Sequence, residues 1–346
     1  MENRNRVLSG LNTKVALVSV AGIGLGLLAR AVYNRIHRYN LAGKVVLITG
    51  GSRGLGLEMA RVVVSKGAKV AICARTEIQL KRAESELRAT GAPVLAILAD
   101  LRDPKQAKDV VSSVASHFGK IDVVINNAGT IELGPENVME VSDYQKVMDS
   151  NLWSALHTIK AVLPYFLANG HGRIVNICSI GGKIAVPHML PYSVSKFAMI
   201  GLSEGLCVEL KKDNILVTTV IPNLMRTGSP RNVSVKGDHE NEYAWFKIAD
   251  SLPFLSQDSK QAADQIIEAL QNGDRQVTLT WAARFISAVN GVMPGSITAL
   301  SQVANRFLPE STNRQTKKGF EAESEATRGT AGAMTDAAAI YNNELD

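Results

Sequence analysis

A glycine-rich segment, residues 49–56 with the sequence TGGSRGLG, contains the first residues whose types and spacing could do chemistry. It follows a short apolar run and leads directly into a stretch with helical periodicity. Glycines in such a turn let the backbone approach a pyrophosphate, which then sits at the positive end of the following helix. The segment therefore predicts a dinucleotide site. Its spacing is GxxxGxG rather than GxGxxG, so a purely structural turn between a strand and a helix remains the alternative.

A second pattern overlaps this turn. Gly50, Ser52 and Gly54 match GxSxG, the nucleophile elbow of serine hydrolases. Those enzymes place the serine after several strands and before an Asp and a His, whereas here it follows the first predicted strand. A hydrolase is therefore the less favoured interpretation.

Polar groups also close later strands. The segment 126–129 (NNAG) ends the fourth predicted strand, and Ser179 ends the fifth. Thirteen residues after Ser179 come Tyr192 and then Lys196, which share one face if they lie on a helix. An isolated YxxxK pattern also fits a solvated helix face. Its occurrence together with the glycine turn, NNAG and the serine indicates one common site.

Alternating strands and helices must position these motifs. From residue 41 onward, Val- and Ile-rich runs alternate with amphipathic stretches. Such runs suit strands buried on both faces, and the alternation predicts an α/β fold with a doubly wound parallel sheet. The predicted strands are 45–49, 69–74, 94–99, 121–125, 173–178, 215–221 and 276–280, and the predicted helices between them include 54–66, 76–90 and 105–118.

These motifs, in this order, resemble the short-chain dehydrogenase/reductase family over about residues 41–281. The resemblance implies a Rossmann-type fold and hydride transfer between a nicotinamide cofactor and a ketone or alcohol. Tyr192 would be the general acid in reduction and the base in oxidation, with a pKa lowered from about 10 by the Lys196 ammonium and the oxidised nicotinamide. Lys196 would also hold the nicotinamide ribose. Ser179 would polarise the substrate carbonyl, and Asn151 would orient a proton-relay water.

The resemblance also implies the cofactor contacts. Asp100-Leu101 is similar to the pair that contacts adenine, and the segment 222–227 lies where the family has Pro-Gly-x-x-x-Thr, with Asn223 in place of Gly. The residues expected to bind the cofactor are Thr49, Gly50, Ser52, Arg53, Gly54, Leu55, Gly56, Arg75, Asp100, Leu101, Asn127, Ala128, Gly129, Tyr192, Lys196, Pro222, Asn223 and Thr227.

The choice between NAD and NADP depends on the end of the second strand. An acidic residue about 20 positions past the glycines usually binds the ribose 2′-hydroxyl of NAD. Here that position is occupied by Arg75, and Arg53 lies inside the glycine turn. Two guanidinium groups suit a 2′-phosphate, so the sequence predicts NADP(H). The alternative is that Arg75 is an ordinary surface charge.

Substrate contacts are expected from Ser179, Ile180, His188 and Tyr192. The segment 186–190 and the loop 228–257 supply mostly apolar neighbours, which favours a lipophilic ketone or aldehyde, or the corresponding alcohol. A dinucleotide-binding sensor or scaffold is the alternative function. An intact Ser, Tyr and Lys set favours the enzyme, because a scaffold has no need of it.

The charge of the chain is concentrated at one end. The 346 residues carry a net charge of +6, of which residues 1–40 contribute +5 from six basic groups and one acid. The remainder is nearly neutral, which argues against nucleic acid as a partner. Residues 15–29 form an apolar run with basic flanks, so we predict that 1–40 is a membrane anchor, with the catalytic domain facing the cytoplasm. A signal peptide or a helix buried against another subunit are the alternatives.

The C-terminal part divides into two predicted segments. Residues 282–308 are apolar and interrupted at Met293-Pro294-Gly295, which predicts two short helices that contact the membrane, the substrate or only the domain. Residues 309–346 are polar and lack periodicity, which predicts a disordered tail. The three cysteines and six histidines show no metal-ligand spacing, and no metal is expected. The resemblance implies a homodimer or homotetramer.

Overall fold

A seven-stranded parallel sheet forms the centre of the computed structural model, which describes residues 38–252 and 256–345. The sheet contains β1–β4, β6, β7 and β11, all of them predicted from the sequence to within two residues at each end. In chain order the strands are β1 (Val45–Thr49), β2 (Lys69–Ala74), β3 (Val94–Leu98), β4 (Val123–Asn126), β5 (Glu132–Leu133), β6 (Gly172–Ile177), β7 (Ile215–Ile221), β8 (Leu224–Arg226), β9 (Ser234–Val235), β10 (Ser256–Asp258), β11 (Gln276–Thr278) and β12 (Lys317–Lys318).

The α-helices cover both faces of this sheet and extend past it toward the C-terminus. In chain order the described helices are α1 (Gly54–Ser65), α2 (Glu77–Ala89), α3 (Pro104–Phe118), α4 (Val141–Met148), α5 (Ser154–Asn169), α6 (Leu190–Glu209), α7 (His239–Ser251), α8 (Ser259–Asn272), α9 (Trp281–Val292), α10 (Pro294–Asn305), α11 (Glu325–Arg328) and α12 (Thr330–Tyr341). A π-helical turn, Asp149–Trp153, joins α4 to α5.

The strand order β11-β7-β6-β4-β1-β2-β3 places β1 between β2 and β4. Strands β2 and β3 therefore extend the sheet on one side of β1, and the later strands extend it on the other side. A crevice lies where the order changes, at the carboxyl ends of β1 and β4. Ligands of doubly wound sheets bind in such a crevice. The glycine turn follows β1 and the NNAG segment overlaps the end of β4, so both motifs meet there.

Burial on both faces explains why the strands could be recognised. Residues 45–48 of β1 are all 0% exposed, since helices pack above and below them. On one face, apolar side chains of α3 and α5 pack against the sheet in a continuous layer. This layer includes Val110, Val114, Ile159, Val162 and Phe166. On the other face, α1 packs against α8.

The C-terminal segment differs from its prediction. Residues 309–346 were expected to be disordered, but up to residue 345 they are ordered: β12 pairs antiparallel with β9, and α12 packs on α7. Lys247 of α7 is fully buried and its Nζ lies 2.9 Å from Asp336 Oδ1. The Ala339 side chain is also buried. Small residues and polar contacts hold this helix, so no apolar stripe marks it in the sequence.

Helices α9 and α10 meet at Met293, where the sequence predicted a turn between two helices. Within residues 38–252 and 256–345, no helix is both long and apolar enough to cross a bilayer. The predicted anchor falls on residues 1–40, of which 1–37 lie outside the described part of the chain.

Candidate active site

A cavity of about 500 Å³ occupies the crevice at the carboxyl ends of the central strands. Most of the residues predicted to bind cofactor or act in catalysis line it. These are Gly50, Ser52, Arg53, Gly54, Leu55, Arg75, Asp100, Leu101, Asn127, Ala128, Gly129, Ser179, Tyr192, Lys196, Pro222, Asn223 and Thr227. The remaining predicted residues, Thr49, Gly56, Asn151, Ile180 and His188, lie outside this lining.

Two of these five support the cavity from behind. Thr49 Oγ1 accepts hydrogen bonds from the backbone N–H groups of Asn127 at 3.0 Å and Ala128 at 3.1 Å. In return, Asn127 Nδ2 donates to the carbonyls of Thr49 and Gly50, both at 3.1 Å. A side chain on Gly56 would overlap the Gly50 carbonyl. The two motifs are thus one rigid unit, and Thr49 and Gly56 act through it.

The glycine turn presents the start of α1 to the cavity. Gly54 opens α1 with φ +55°, a conformation that L residues rarely adopt. The residue before it, Arg53, makes no side-chain cap to the first turn of the helix. Amide groups at a helix start are the donors that phosphate oxygens accept from. The turn therefore fits the phosphates of a dinucleotide.

Positive charge surrounds the part of the cavity beyond β2. Arg53, Arg75 and Arg102 all line it. Burial lowers the pKa of Arg75, with Arg102 and Arg53 acting in the same direction and Asp100 opposing them. The Arg102 guanidinium donates to both oxygens of Asp100 and holds the pKa of that carboxyl below its usual range. Arg102, which the sequence analysis did not identify, is therefore paired with the Asp100 carboxylate. Arg75 lines the cavity.

Tyr192, Lys196 and Ser179 come together at the inner end of the cavity. Both Tyr192 and Lys196 lie on α6, and the Tyr192 hydroxyl is close enough to the Ser179 side chain for Ser179 to lower its pKa against the effect of burial. Lys196 Nζ lies 5.6 Å from the centroid of the Tyr192 ring and donates to the carbonyl of Ile177 at 2.9 Å. One phenol, one hydroxyl and one ammonium therefore converge where two strands and a helix meet.

Burial dominates the titration of Tyr192. Among the protein's own groups, burial raises the pKa of Tyr192 to about 12 and outweighs the opposing effect of Ser179, and the lowering that the resemblance implies depends on Lys196 together with the oxidised nicotinamide. Burial also lowers the pKa of Lys196. In this structure the phenol is protonated at neutral pH, which is the form that a general acid requires.

Asn151 lies in the π-helical turn and behind the cavity wall. Its Nδ2 donates to the Thr130 carbonyl at 3.0 Å and to Ser195 Oγ at 2.9 Å, and its Oδ1 accepts from the Thr130 N–H at 2.7 Å. The side chain thereby ties the segment after NNAG to α6, the helix of Tyr192. π-Helical turns are frequent at functional sites. The structure links Asn151 to Tyr192 through Ser195, whose Oγ donates to the Tyr192 carbonyl at 2.7 Å.

Ile180 and His188 are the two predicted substrate residues that lie away from this cavity. The Ile180 N–H donates to the Pro222 carbonyl at 2.8 Å, which fixes the turn after Ser179. His188 has φ +58° and its Nδ1 lies 2.6 Å from Oε1 of the buried Glu242. It lines a second cavity of about 840 Å³ with Val186, Pro187, Leu190 and Leu308. His188 therefore faces a separate, largely apolar space.

The loop after β7 carries the departure from the family pattern. Asn223 stands where the pattern has Gly, and its φ is not positive, so the loop requires no glycine there. Thr227 Oγ1 donates to Ser229 Oγ at 2.8 Å. Pro222, Asn223 and Thr227 all line the cavity, as predicted.

Sequence reasoning missed three lining residues from the C-terminal segment: Lys318, Phe320 and Glu344. Their segment was read as disordered because its sequence lacks periodicity. Pairing of β12 with β9 brings it across the cavity. The acidic character of the chain's last residues was the available signal.

Comparison with known proteins agrees with this geometry. The model of the family described as short chain dehydrogenase matches residues 44–236. The chain is 37% identical over 190 residues to a Streptomyces violaceoruber protein named for a ketoacyl reductase of the granaticin polyketide synthase, covering 54% of this chain and 69% of that protein. It is 32% identical over 213 residues to 11-beta-hydroxysteroid dehydrogenase 1A of Arabidopsis thaliana, covering 61% of this chain and 60% of the relative.

A solved structure shares the fold. The gluconate 5-dehydrogenase from Burkholderia cenocepacia, crystallised with NADP and tartrate, superimposes with a TM-score of 0.64 at 24% identity, covering 72% of this chain and 98% of that one. The fold likeness, the family match over more than half of the chain and the converging Ser, Tyr and Lys lead to one assignment. The chain belongs to the short chain dehydrogenase family and is an oxidoreductase that acts on alcohol and ketone groups.

Proposed function

We propose that this protein reduces a ketone or aldehyde of a lipophilic substrate with NADPH, or oxidises the corresponding alcohol. The observation that carries the proposal is that Ser179, Tyr192 and Lys196 line the same cavity as the glycine turn and the arginines Arg53 and Arg75. A bound reduced nicotinamide would supply hydride. The chain itself must then hold the carbonyl and deliver a proton.

The proposed proton donor is Tyr192. The Ser179 hydroxyl, 3.1 Å from the N–H of Gly181 that donates to it, is fixed beside the phenol. A substrate oxygen accepting from both hydroxyls would be oriented and polarised as negative charge develops on it. Lys196 places a positive charge behind the ring, which favours the phenolate left after proton transfer. Asn151 acts as a positioning residue for α6.

Preference for NADP(H) is supported by the positive end of the cavity. Arg53 and Arg75 both line it, and the Asp100 carboxylate is held by Arg102. A ribose 2′-phosphate would meet two guanidinium groups, each able to donate two parallel hydrogen bonds. In NAD-binding enzymes an acidic residue usually binds the ribose 2′-hydroxyl from this position. Because the position is Arg75 here, an NAD ribose would find no carboxylate there.

A lipophilic substrate is supported by the second cavity and its surroundings. Apolar side chains from 186–190, the segment leading into α6, form one wall, whereas the residues that α10 contributes to the other wall are polar. Asn290 of α9 donates to the carbonyl of Lys183 at 2.9 Å, which ties the helix pair to the loop after Ser179. On this basis we propose that α9 and α10 border the route by which substrate enters.

The same helices support a contact with a bilayer. Their large apolar side chains are exposed, and between residues 281 and 309 the only charged residues are Arg284 and Arg306. Apolar surface with a positive rim fits an anionic lipid interface. The exposed apolar residues are Trp281, Phe285, Val292, Met293, Leu300, Val303 and Phe307.

We expect Trp281, which is 68% exposed, to be quenched by brominated lipids when the full-length protein is placed in anionic vesicles. Trp281→Phe should remove most of that quenching. Trp153→Phe is the matched control, because Trp153 is 40% exposed but lies in the π-helical turn. Equal quenching in Trp281→Phe and wild type would exclude contact through α9.

The catalytic proposal is tested by following NADPH consumption with a panel of steroid-like, long-chain and small polar ketones, using full-length protein in membranes. Wild type is expected to turn over at least one lipophilic ketone. If wild type and Tyr192→Phe are equally inert across the panel while NADPH still binds, the sensor or scaffold is the better assignment.

A further inference from the structure

The last residues of the described chain lie in the glycine turn. The Gly54 N–H, at the start of α1, donates to the carbonyl of Asn342 at 2.9 Å. Asn343 Nδ2 donates to the carbonyls of Ser52 and Gln79, both at 2.8 Å. The contacts with Gly54 and Ser52 are to the turn that would hold the cofactor phosphates, and Gln79 belongs to the neighbouring helix α2.

Glu344 brings a negative charge to the same place. Its side chain is only 4% exposed, and its Oε2 lies 3.4 Å from Arg53 Nε and accepts from Asn232 Nδ2 at 2.6 Å. The Oε1 atom lies 2.5 Å from where a side chain on Gly54 would begin. A carboxylate therefore occupies the space beside the helix start that the absence of a side chain leaves open.

A carboxylate and a phosphate require the same partners here. Both are stabilised by the positive end of a helix and by a guanidinium group. They also repel each other, and Arg53 cannot pair fully with both. The Glu344 side chain lines the cavity in which the dinucleotide must lie. The Glu344 carboxylate and the dinucleotide phosphates therefore each weaken binding of the other at this place.

Helix α12 and the residues that follow it are held by different contacts. Helix α12 is held by the ion pair between the buried Lys247 and the partly exposed Asp336 and by Ala339, which packs against Gly228. After Tyr341 the helix ends, and residues 342–345 are held by hydrogen bonds and one ion pair. Release of these residues breaks the hydrogen bonds that cap the end of α12 and the ion pair to Arg53, while the Lys247–Asp336 pair and the Ala339 contact that hold α12 remain.

We propose that residues 342–345 form an autoinhibitory tail whose Glu344 carboxylate competes with the phosphates of NADPH for Arg53 and the start of α1. This inference rests on the proposed NADP(H) function. A protein with the tail docked binds cofactor weakly. The apparent affinity equals the affinity of the form with the tail released, multiplied by the fraction of molecules in that form.

The test is a fluorescence titration of NADPH into full-length wild type, Glu344→Gln and a chain ending at Tyr341. Glutamine keeps the shape and a hydrogen bond to Asn232 but removes the charge. We expect both variants to bind NADPH about tenfold more tightly, within the range usual for coupled sites. Glu325→Gln is the control, because Glu325 is exposed on α11 and the substitution makes the same change in net charge.

Hydrogen exchange gives a second measurement. Saturating NADPH should increase exchange at residues 342–345 in wild type, because the tail leaves the turn. Unchanged or weaker NADPH binding in Glu344→Gln, or increased protection of the tail by NADPH, would overturn the inference. In that case the proposed function still stands, since wild type binds the cofactor. If neither NADPH nor NADH binds to any of the chains, the proposed function fails together with this inference.

Discussion

Replacing Tyr192 by Phe is expected to lower kcat/KM for ketone reduction by about 10²- to 10⁴-fold, the range that a positioned general acid contributes. The reason is that the phenol is the proton donor placed beside Ser179 at the inner end of the cavity. Phenylalanine keeps the ring against Gly181 and removes only the hydroxyl. The dissociation constant for NADPH should stay within about twofold, since the glycine turn and the arginines are untouched.

Ser193→Ala is the control for packing on the same helix, because Ser193 is buried next to Tyr192 and its hydroxyl accepts only from the Val186 N–H in the structure described. It should retain most of the activity. A Tyr192→Phe enzyme with nearly full activity would assign the proton to another donor.

The pH dependence of reduction and of alcohol oxidation tests the same role of Tyr192 as proton donor and acceptor. With burial raising its pKa to about 12, Tyr192 is protonated throughout pH 6–9, so the rate of reduction should be nearly flat there. Alcohol oxidation needs the phenolate, whose population rises about tenfold per pH unit below the pKa. The wild-type oxidation rate should therefore climb with pH. Positive charge from bound oxidised nicotinamide would shift this rise to lower pH.

The sheet and the site could be predicted because their signals are local. β1 is a continuous apolar run ending at a glycine turn, and both properties follow from burial on two faces and from backbone that must approach a ligand. Tyr192 and Lys196 are fixed relative to each other by one turn of a helix. The spacing alone therefore places them together, whatever the tertiary packing.

The C-terminal segment could not be predicted because its order comes from distant partners. Lys247, Asp336 and Glu323 form a network across about 90 positions of the chain, and none of these residues is apolar. Glu344 is ordered by Arg53 and Asn232 in the same way. A polar stretch without periodicity has the composition of a disordered tail until its partners are known.

His188 shows a third kind of limit. Its position between Ser179 and Tyr192 in the sequence predicts proximity to the substrate. In the structure a left-handed backbone at His188 directs its ring to the buried Glu242, and that carboxylate also accepts from Trp245 Nε1 at 2.8 Å. Closeness in the chain does not decide which of two cavities a side chain faces.

Exchanging Arg75 for Asp is expected to lower the preference for NADPH over NADH by about 30- to 100-fold, equivalent to about 2–3 kcal/mol, the value of hydrogen bonds to a charged group. The substitution removes a guanidinium group that lines the cavity and puts a carboxylate near Asp100. That carboxylate would repel a 2′-phosphate and could accept from the ribose hydroxyls of NADH. The preference is measured as the ratio of kcat/KM values for the two cofactors.

Arg275→Asp is the matched control, because the same substitution is made at an exposed residue beside the amino end of β11, at the edge of the sheet opposite the cavity. It should leave the ratio unchanged, so any general effect of replacing one positive charge by one negative charge is separated from the local one. The loss in Arg75→Asp should also fall mainly on KM for NADPH, since Tyr192 and Ser179 are untouched. If the ratio is the same in Arg75→Asp, Arg275→Asp and wild type, the charge at position 75 does not decide the cofactor, and the argument from two arginines fails.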